Sequence, residues 1–126
     1  TGSRDEALQL ARLYATFKPD AVITWSDDNP HPDHRMTAKI AFDAITLARI
    51  PKILNGNASQ PYDSHRKDIK FYQYVTSSSN RPVVHVSIEE QIEAVTEMFT
   101  LYQEFYKWQY TPEQFKADRS RNGREV

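Results

Sequence analysis

Helical and extended segments alternate along the chain, which predicts an α/β fold with a largely parallel sheet. A second sign is the run Ala21-Val22-Ile23-Thr24-Trp25, apolar and β-rich with no polar alternation, the pattern of a strand covered on both faces. The third is a polar, proline-containing loop that leads from this strand into a helix. Open α/β sheets bind their ligands at such carboxyl ends. The 126 residues are expected to form one domain, large enough to bury a core without covalent staples.

The first helix starts at Ser3, which forms a capping box with Glu6. Ala7, Leu10, Leu13, Tyr14 and Phe17 then make one apolar face, until Lys18-Pro19-Asp20 stops it. Ala21 to Trp25 is the buried strand, and Ser26 to Asp33 a loop. A second helix is expected from about His34 to Arg49, with Ala38, Ala41, Ile45 and Ala48 facing inward. Pro51 to Leu54 reads as a short strand and Asn55 to His65 as a surface loop. Ile69 to Val75 reads as extended, with Ile69, Phe71 and Val75 on one face, and Thr76 to Asn80 as a Ser-rich loop. Pro82 to Val86 reads as a further strand. Ser87 and Glu90 form a second capping box before a long helix, whose stripe Ile92, Val95, Phe99, Tyr102 and Tyr106 reads as core. Thr111-Pro112-Glu113-Gln114 is a third capped helix start, and from Lys116 the polar tail is expected to fray.

Composition excludes several function classes. With no cysteine there is no disulfide framework, thiolate metal site or cysteine nucleophile, so a metal must be held by His and carboxylate. The net charge of −1 gives no field for nucleic acid or an anionic membrane, and neither is expected as a partner. No apolar run is long enough for a bilayer, no segment reads as a signal peptide, and the expected location is cytoplasmic. Gly2, Gly56 and Gly123 lie too far apart for a dinucleotide or phosphate loop. Asn57-Ala58-Ser59 matches a glycosylation sequon without other signs of secretion.

The segment that carries chemistry is Asp27-Asp28-Asn29-Pro30-His31-Pro32-Asp33-His34-Arg35. A neutral imidazole binds zinc or a similar ion. A second histidine three residues away can face the same centre as a general acid or as a stabiliser of an oxyanion. An aspartate between them can fix an imidazole's tautomer. Equally, Asp, Asn and Pro populate any βα turn, and Asp33 can cap the helix that follows. Asp28 can reach a metal or sugar hydroxyls, or belong to a solvated loop. An EF-hand is excluded, because Pro32 stands where the turn needs Gly and Ala38 where a bidentate Glu is required.

His31-Pro32-Asp33-His34-Arg35, preceded by Pro19-Asp20-Ala21-Val22-Ile23-Thr24 and followed by Asp43-Ala44, resembles the second motif of the LmbE/PIG-L family of zinc-dependent N-acetylglucosaminyl deacetylases. Lys70 to Tyr74 is similar to the family's aromatic strand. Pro82 to Ser87 with Leu101-Tyr102-Gln103 is similar to its late strand and helix, and Arg119 to Gly123 to its basic C-terminal stretch. The resemblance implies a Rossmann-like sheet with flanking helices. It implies His34 as a zinc ligand, His31 as acid or electrostatic partner at the carbonyl, and Asp33 as the residue that orients His31. Asp28, Asn29 and Arg35 flank the histidines as candidate substrate contacts. The implied reaction removes an acetyl group from an N-acetylglucosamine-type small molecule.

The family's first motif, Ala-His-Pro-Asp-Asp-Glu, is absent here, and with it two zinc ligands and the general base. Catalytic zinc needs three protein ligands. The chain is therefore expected to be the C-terminal part of one deacetylase domain, lacking the first strand–loop unit. Its partner would be the missing N-terminal segment or a separate chain. Asn29 stands where some members have tyrosine, Gln91 lies near the place of a common late-helix lysine, and His85 stands where the late strand is usually acidic. His85 is expected to be a hydrogen-bonded structural residue and His65 a surface one. Phe105, Trp108 and Tyr110 fall off the core stripe, fitting packing, a homo-oligomer contact or a sugar platform. The alternative function is a metal-free α/β module that binds a sugar or partner without turnover.

Overall fold

The structure, a computed structural model, describes residues 1–56, 61–74 and 81–124, with side chains through residue 120. Helix α1 (Arg4–Phe17) opens on the expected capping box. The Glu6 N–H donates to Ser3 Oγ and the Ser3 N–H to Glu6 Oε2. It ends on Lys18, whose φ of 53° is left-handed. Strand β1 (Ala21–Thr24) follows, then helix α2 (Pro32–Ala48), a short helix α3 (Pro51–Asn55) and strand β2 (Lys70–Gln73). β1 and β2 pair in parallel, with Val22 opposite Phe71 and Thr24 opposite Gln73. The mixed α/β class and the parallel pairing are as the sequence predicts. Beyond the sheet come a 3-10 turn (Glu89–Gln91), helix α4 (Ile92–Tyr106) and helix α5 (Pro112–Arg124). The chain divides into two compact units, Thr1–Asn80 and Arg81–Val126.

In the first unit α1 packs on α2. Ala11, Tyr14, Ala15, Ala44, Ala48 and Leu54 form the buried cluster, with Leu10, Val22, Ile45, Tyr62 and Ile69 against it. Small residues dominate because alanine lets two helices approach closely. The buried arc of α1 therefore runs through Ala7, Ala11, Tyr14 and Ala15. The expected face is displaced, and Leu13 and Phe17 are exposed, Phe17 by 76 %. β1 is not covered on both faces either. Val22 joins the core while Ile23, pointing to the opposite face, is 66 % exposed.

Other expectations change for local reasons. Pro51 to Leu54 is helical, since Pro51 takes the first helical turn and the Ile53 and Leu54 N–H groups both donate to Ile50 O. Pro82 to Val86 is irregular, with Val84 and Val86 exposed, and pairs with no described strand. Ser87 does not close a capping box. Its Oγ accepts from the Glu89 N–H at 3.4 Å, and the 3-10 turn intervenes before α4. No described residue of α4 is buried, so its apolar stripe is not a core. Phe99 instead stacks on Phe115 of α5 at 4.3 Å between centroids. The third helix start forms as expected, with reciprocal Thr111–Gln114 bonds of 2.9 and 3.2 Å, but α5 runs on through Arg124 rather than fraying from Lys116. The sequon at Asn57, Val75 and the Ser-rich loop from Thr76 lie outside the described residues. Among those described, no helix is long and apolar enough to cross a membrane.

Candidate functional site

The loop from Trp25 to His31 leaves the carboxyl end of β1 and enters α2, so both histidines stand at the C-terminal edge of a parallel sheet. α2 begins at Pro32, two residues before its expected start. His31 itself is the N-cap, with Nδ1 accepting the Asp33 N–H at 3.2 Å. Imidazole thereby takes the place that Ser, Asp or Asn usually fills. The alternative of Asp33 as cap is excluded by this geometry. Asp33 faces His31 through its backbone. Its carboxylate is solvent-exposed, with Oδ2 4.0 Å from His31 Nδ1.

Asn29 holds the loop together. Its Oδ1 accepts the His31 N–H at 2.9 Å and lies 3.0 Å from His34 Nδ1. Arg35 reaches back over the same turn, with Nη1 donating to Asn29 O at 2.8 Å and Pro30 O at 2.9 Å. The Asp28 N–H donates to Ser26 Oγ at 3.3 Å, and the Ser26 hydroxyl in turn donates to the Asp28 carboxylate. The three candidate substrate contacts, Asp28, Asn29 and Arg35, thus all make bonds inside the loop. Their first effect is to fix its shape.

Three rings form a column over this scaffold. Trp25 lies flat on His34, with centroids 3.9 Å apart and planes within 3°. His31 also stacks on His34, at 4.6 Å. Tyr74 leans on Trp25 at 5.5 Å, in reach because its N–H continues the strand ladder to Thr24 O. Trp25 and Tyr74 are not among the residues that sequence reasoning singles out for the site. The available signal is an aromatic residue ending the strand that leads into the histidine loop.

The other histidines lie apart from this group. His65, expected at the surface, is 5 % exposed. Its Nε2 is 2.8 Å from Pro19 O and its backbone N–H donates to Ala48 O, which ties the segment before β2 to α2. His85 lies in the irregular segment and is exposed, not in a strand. Among the described residues no three His, Asp or Glu side chains converge to hold a metal ion.

The fold defines a mixed α/β chain carrying a histidine loop at its parallel strand ends. Among solved structures it is similar to the conserved protein TT1542 from Thermus thermophilus, at a TM-score of 0.68 and 21 % identity. The match covers 99 % of this chain and 54 % of that one, so the chain spans about half the length of that protein. No family model matches the sequence.

Proposed function

We propose that this chain is the part of a zinc-dependent N-deacetylase of the LmbE/PIG-L type that carries the second histidine motif, on a Rossmann-like sheet. The substrate class is an N-acetylglucosamine-containing small molecule, and the location cytoplasmic. The observation that carries this reading is the His31–His34 pair, stacked 4.6 Å apart at the carboxyl end of β1 within the His-Pro-Asp-His motif.

The described residues of this chain do not complete a zinc site. His34 offers one donor where a catalytic ion needs three from the protein, and no group of three converges among the described residues. The remaining ligands and the general base are assigned to a preceding segment or a second polypeptide, consistent with a match to about half of a longer solved chain. This chain's own contribution is an exposed His31 beside His34, able to meet a carbonyl oxygen as charge develops. Trp25 and Tyr74 add an aromatic wall of the kind that packs on a sugar ring.

The test uses the intact gene product containing this sequence. It should hold about one zinc per copy and release acetate from N-acetylglucosamine conjugates. His34→Ala should lose the metal and keep the fold. His31→Ala should keep the metal and lose turnover by roughly 100-fold or more. Full activity of both variants, or a homogeneous 14.7 kDa species from the intact gene, overturns the proposal. Sugar binding without metal or acetate release would instead establish the non-catalytic module.

A further inference from the structure

We infer that Asn29 and the Asp33 backbone hold the neutral rings of His34 and His31 in opposite tautomers, so that one presents a bare ring nitrogen and the other an N–H. The starting point is Asn29 Oδ1. It receives the His31 backbone N–H at 2.9 Å, and a backbone N–H can only donate. That fixes the oxygen, not the amide nitrogen, on this side of Asn29. His34 Nδ1 faces the same oxygen at 3.0 Å and must therefore carry the proton. The neutral His34 ring then bears its lone pair on Nε2.

His31 is set the other way. Its Nδ1 faces the Asp33 backbone N–H at 3.2 Å, again an obligatory donor, so Nδ1 accepts and Nε2 carries the hydrogen. The Trp25 indole, parallel to the His34 ring within 3° and stacked on it, restricts rotation of that ring out of the stack. Asn29 is thus a positioning residue, acting through the His34 ring.

For what those two nitrogens meet, the inference rests on the proposed function. A bare Nε2 is the form a metal ligand takes, and an Nε2–H is the form that donates to a carbonyl oxygen. It also corrects the expected role of Asp33, whose amide and not its carboxylate sets the His31 tautomer. The tautomers themselves rest only on this chain's hydrogen bonds and are measurable without metal or substrate.

The experiment is a long-range 15N–1H spectrum of the histidine rings in the metal-free full chain at about pH 8.5, some two units above the ordinary imidazole pKa. His34 should show a protonated Nδ1 and a bare Nε2, and His31 the reverse. His65 is the internal control for folding. It is buried with Nε2 2.8 Å from Pro19 O, a carbonyl that can only accept, so its Nε2–H form should persist in every variant. Asn29→Ala should move His34 away from the Nδ1–H form while His65 is unchanged. Asn29→Asp keeps an acceptor at the same place and should retain it. A wild-type His34 with a bare Nδ1, or no change in Asn29→Ala with the His65 signal intact, overturns the inference. Expected tautomers in a gene product that neither holds zinc nor releases acetate leave the inference standing and remove the proposed function. An active deacetylase with matching tautomers on both rings does the converse.

Discussion

Residues Thr1–Asn80 bury Ala11, Tyr14, Ala15, Ala44, Ala48 and Leu54 in one cluster, whereas no described residue of Arg81–Val126 is buried. The first unit uses mostly small side chains at its helix contact, and the backbones of α1 and α2 come close enough to exclude water. The second unit has the larger apolar groups. Phe99 meets Phe115 face to face, Trp108 at a tilt and Tyr110 edge-on, in a cluster of rings between and beside two helices. Two helices with a short connection cannot surround such rings, because too little chain is available to cover them. Apolar area alone therefore does not make a core. The size of the residues at the contact, and the number of elements that can close over it, decide which unit excludes solvent.

This contrast is broken most directly in the first unit. Leu54 is the largest fully buried side chain, and Leu54→Ala should cost roughly 2–5 kcal/mol. Phe99→Ala in the second unit removes the Phe115 stack but opens no closed cavity, and should cost about 1 kcal/mol. Urea unfolding with hydrogen exchange read separately on α1 and α4 measures both. Equal losses would show that the half-buried Phe99–Phe115 stack is as well packed as the alanine core.

A smaller effect should appear in alkali. Tyr14 is buried against α2, its hydroxyl donating to Ala41 O at 3.4 Å, and burial pushes its pKa from 10.0 up to about 12. A raised pKa means that the folded state holds the proton more tightly. The stabilisation is fully present below about pH 10 and is lost as pH rises through about 12, at most about 3 kcal/mol. Tyr14→Phe should remove that slope from a series of unfolding curves between those two pH values. A slope unchanged in Tyr14→Phe would mean that another group, or general alkaline repulsion, sets it.

What the sequence discloses follows from the range of each interaction. The Ser3–Glu6 and Thr111–Gln114 boxes are visible because each is settled within four residues. The β1–loop–α2 unit is visible because strand, prolines and histidines follow in order. Which face of α1 is buried is not visible, since Phe17 and Ala15 compete for it and the close approach of α2 favours the smaller one. Pro82 to Val86 has the composition of a strand, but a strand exists only with a neighbour to pair. At the site, the two histidines are evident and their partners are not. Asn29, Asp28 and Arg35 look like groups awaiting a substrate until the backbone turns each onto a partner in or beside the loop. The ring column through Trp25 depends on the stacking of residues nine apart, which no helical or strand period indicates.

The smallest expected effect sharpens the comparison, because the same motif occurs in both units. Ser3→Ala and Thr111→Ala should each cost about 1 kcal/mol of helix stability. Their acid behaviour should differ. The Ser3 N–H donates to the Glu6 carboxylate and holds its pKa below the ordinary carboxyl range, whereas Gln114 does not titrate. A lowered carboxyl pKa contributes stability that is present above the ordinary carboxyl pKa and lost as pH falls through the lowered one. Amides in the first turn of α1 should therefore lose exchange protection as pH falls through and below the carboxylate range, once the intrinsic pH dependence of exchange is removed. Those in the first turn of α5 should keep it. In Ser3→Ala the acid-dependent step at α1 should shrink but not vanish, since the backbone N–H at position 3 still donates to Glu6 Oε2. Equal loss at both helix starts would assign the acid effect to the chain as a whole and not to the Glu6 box.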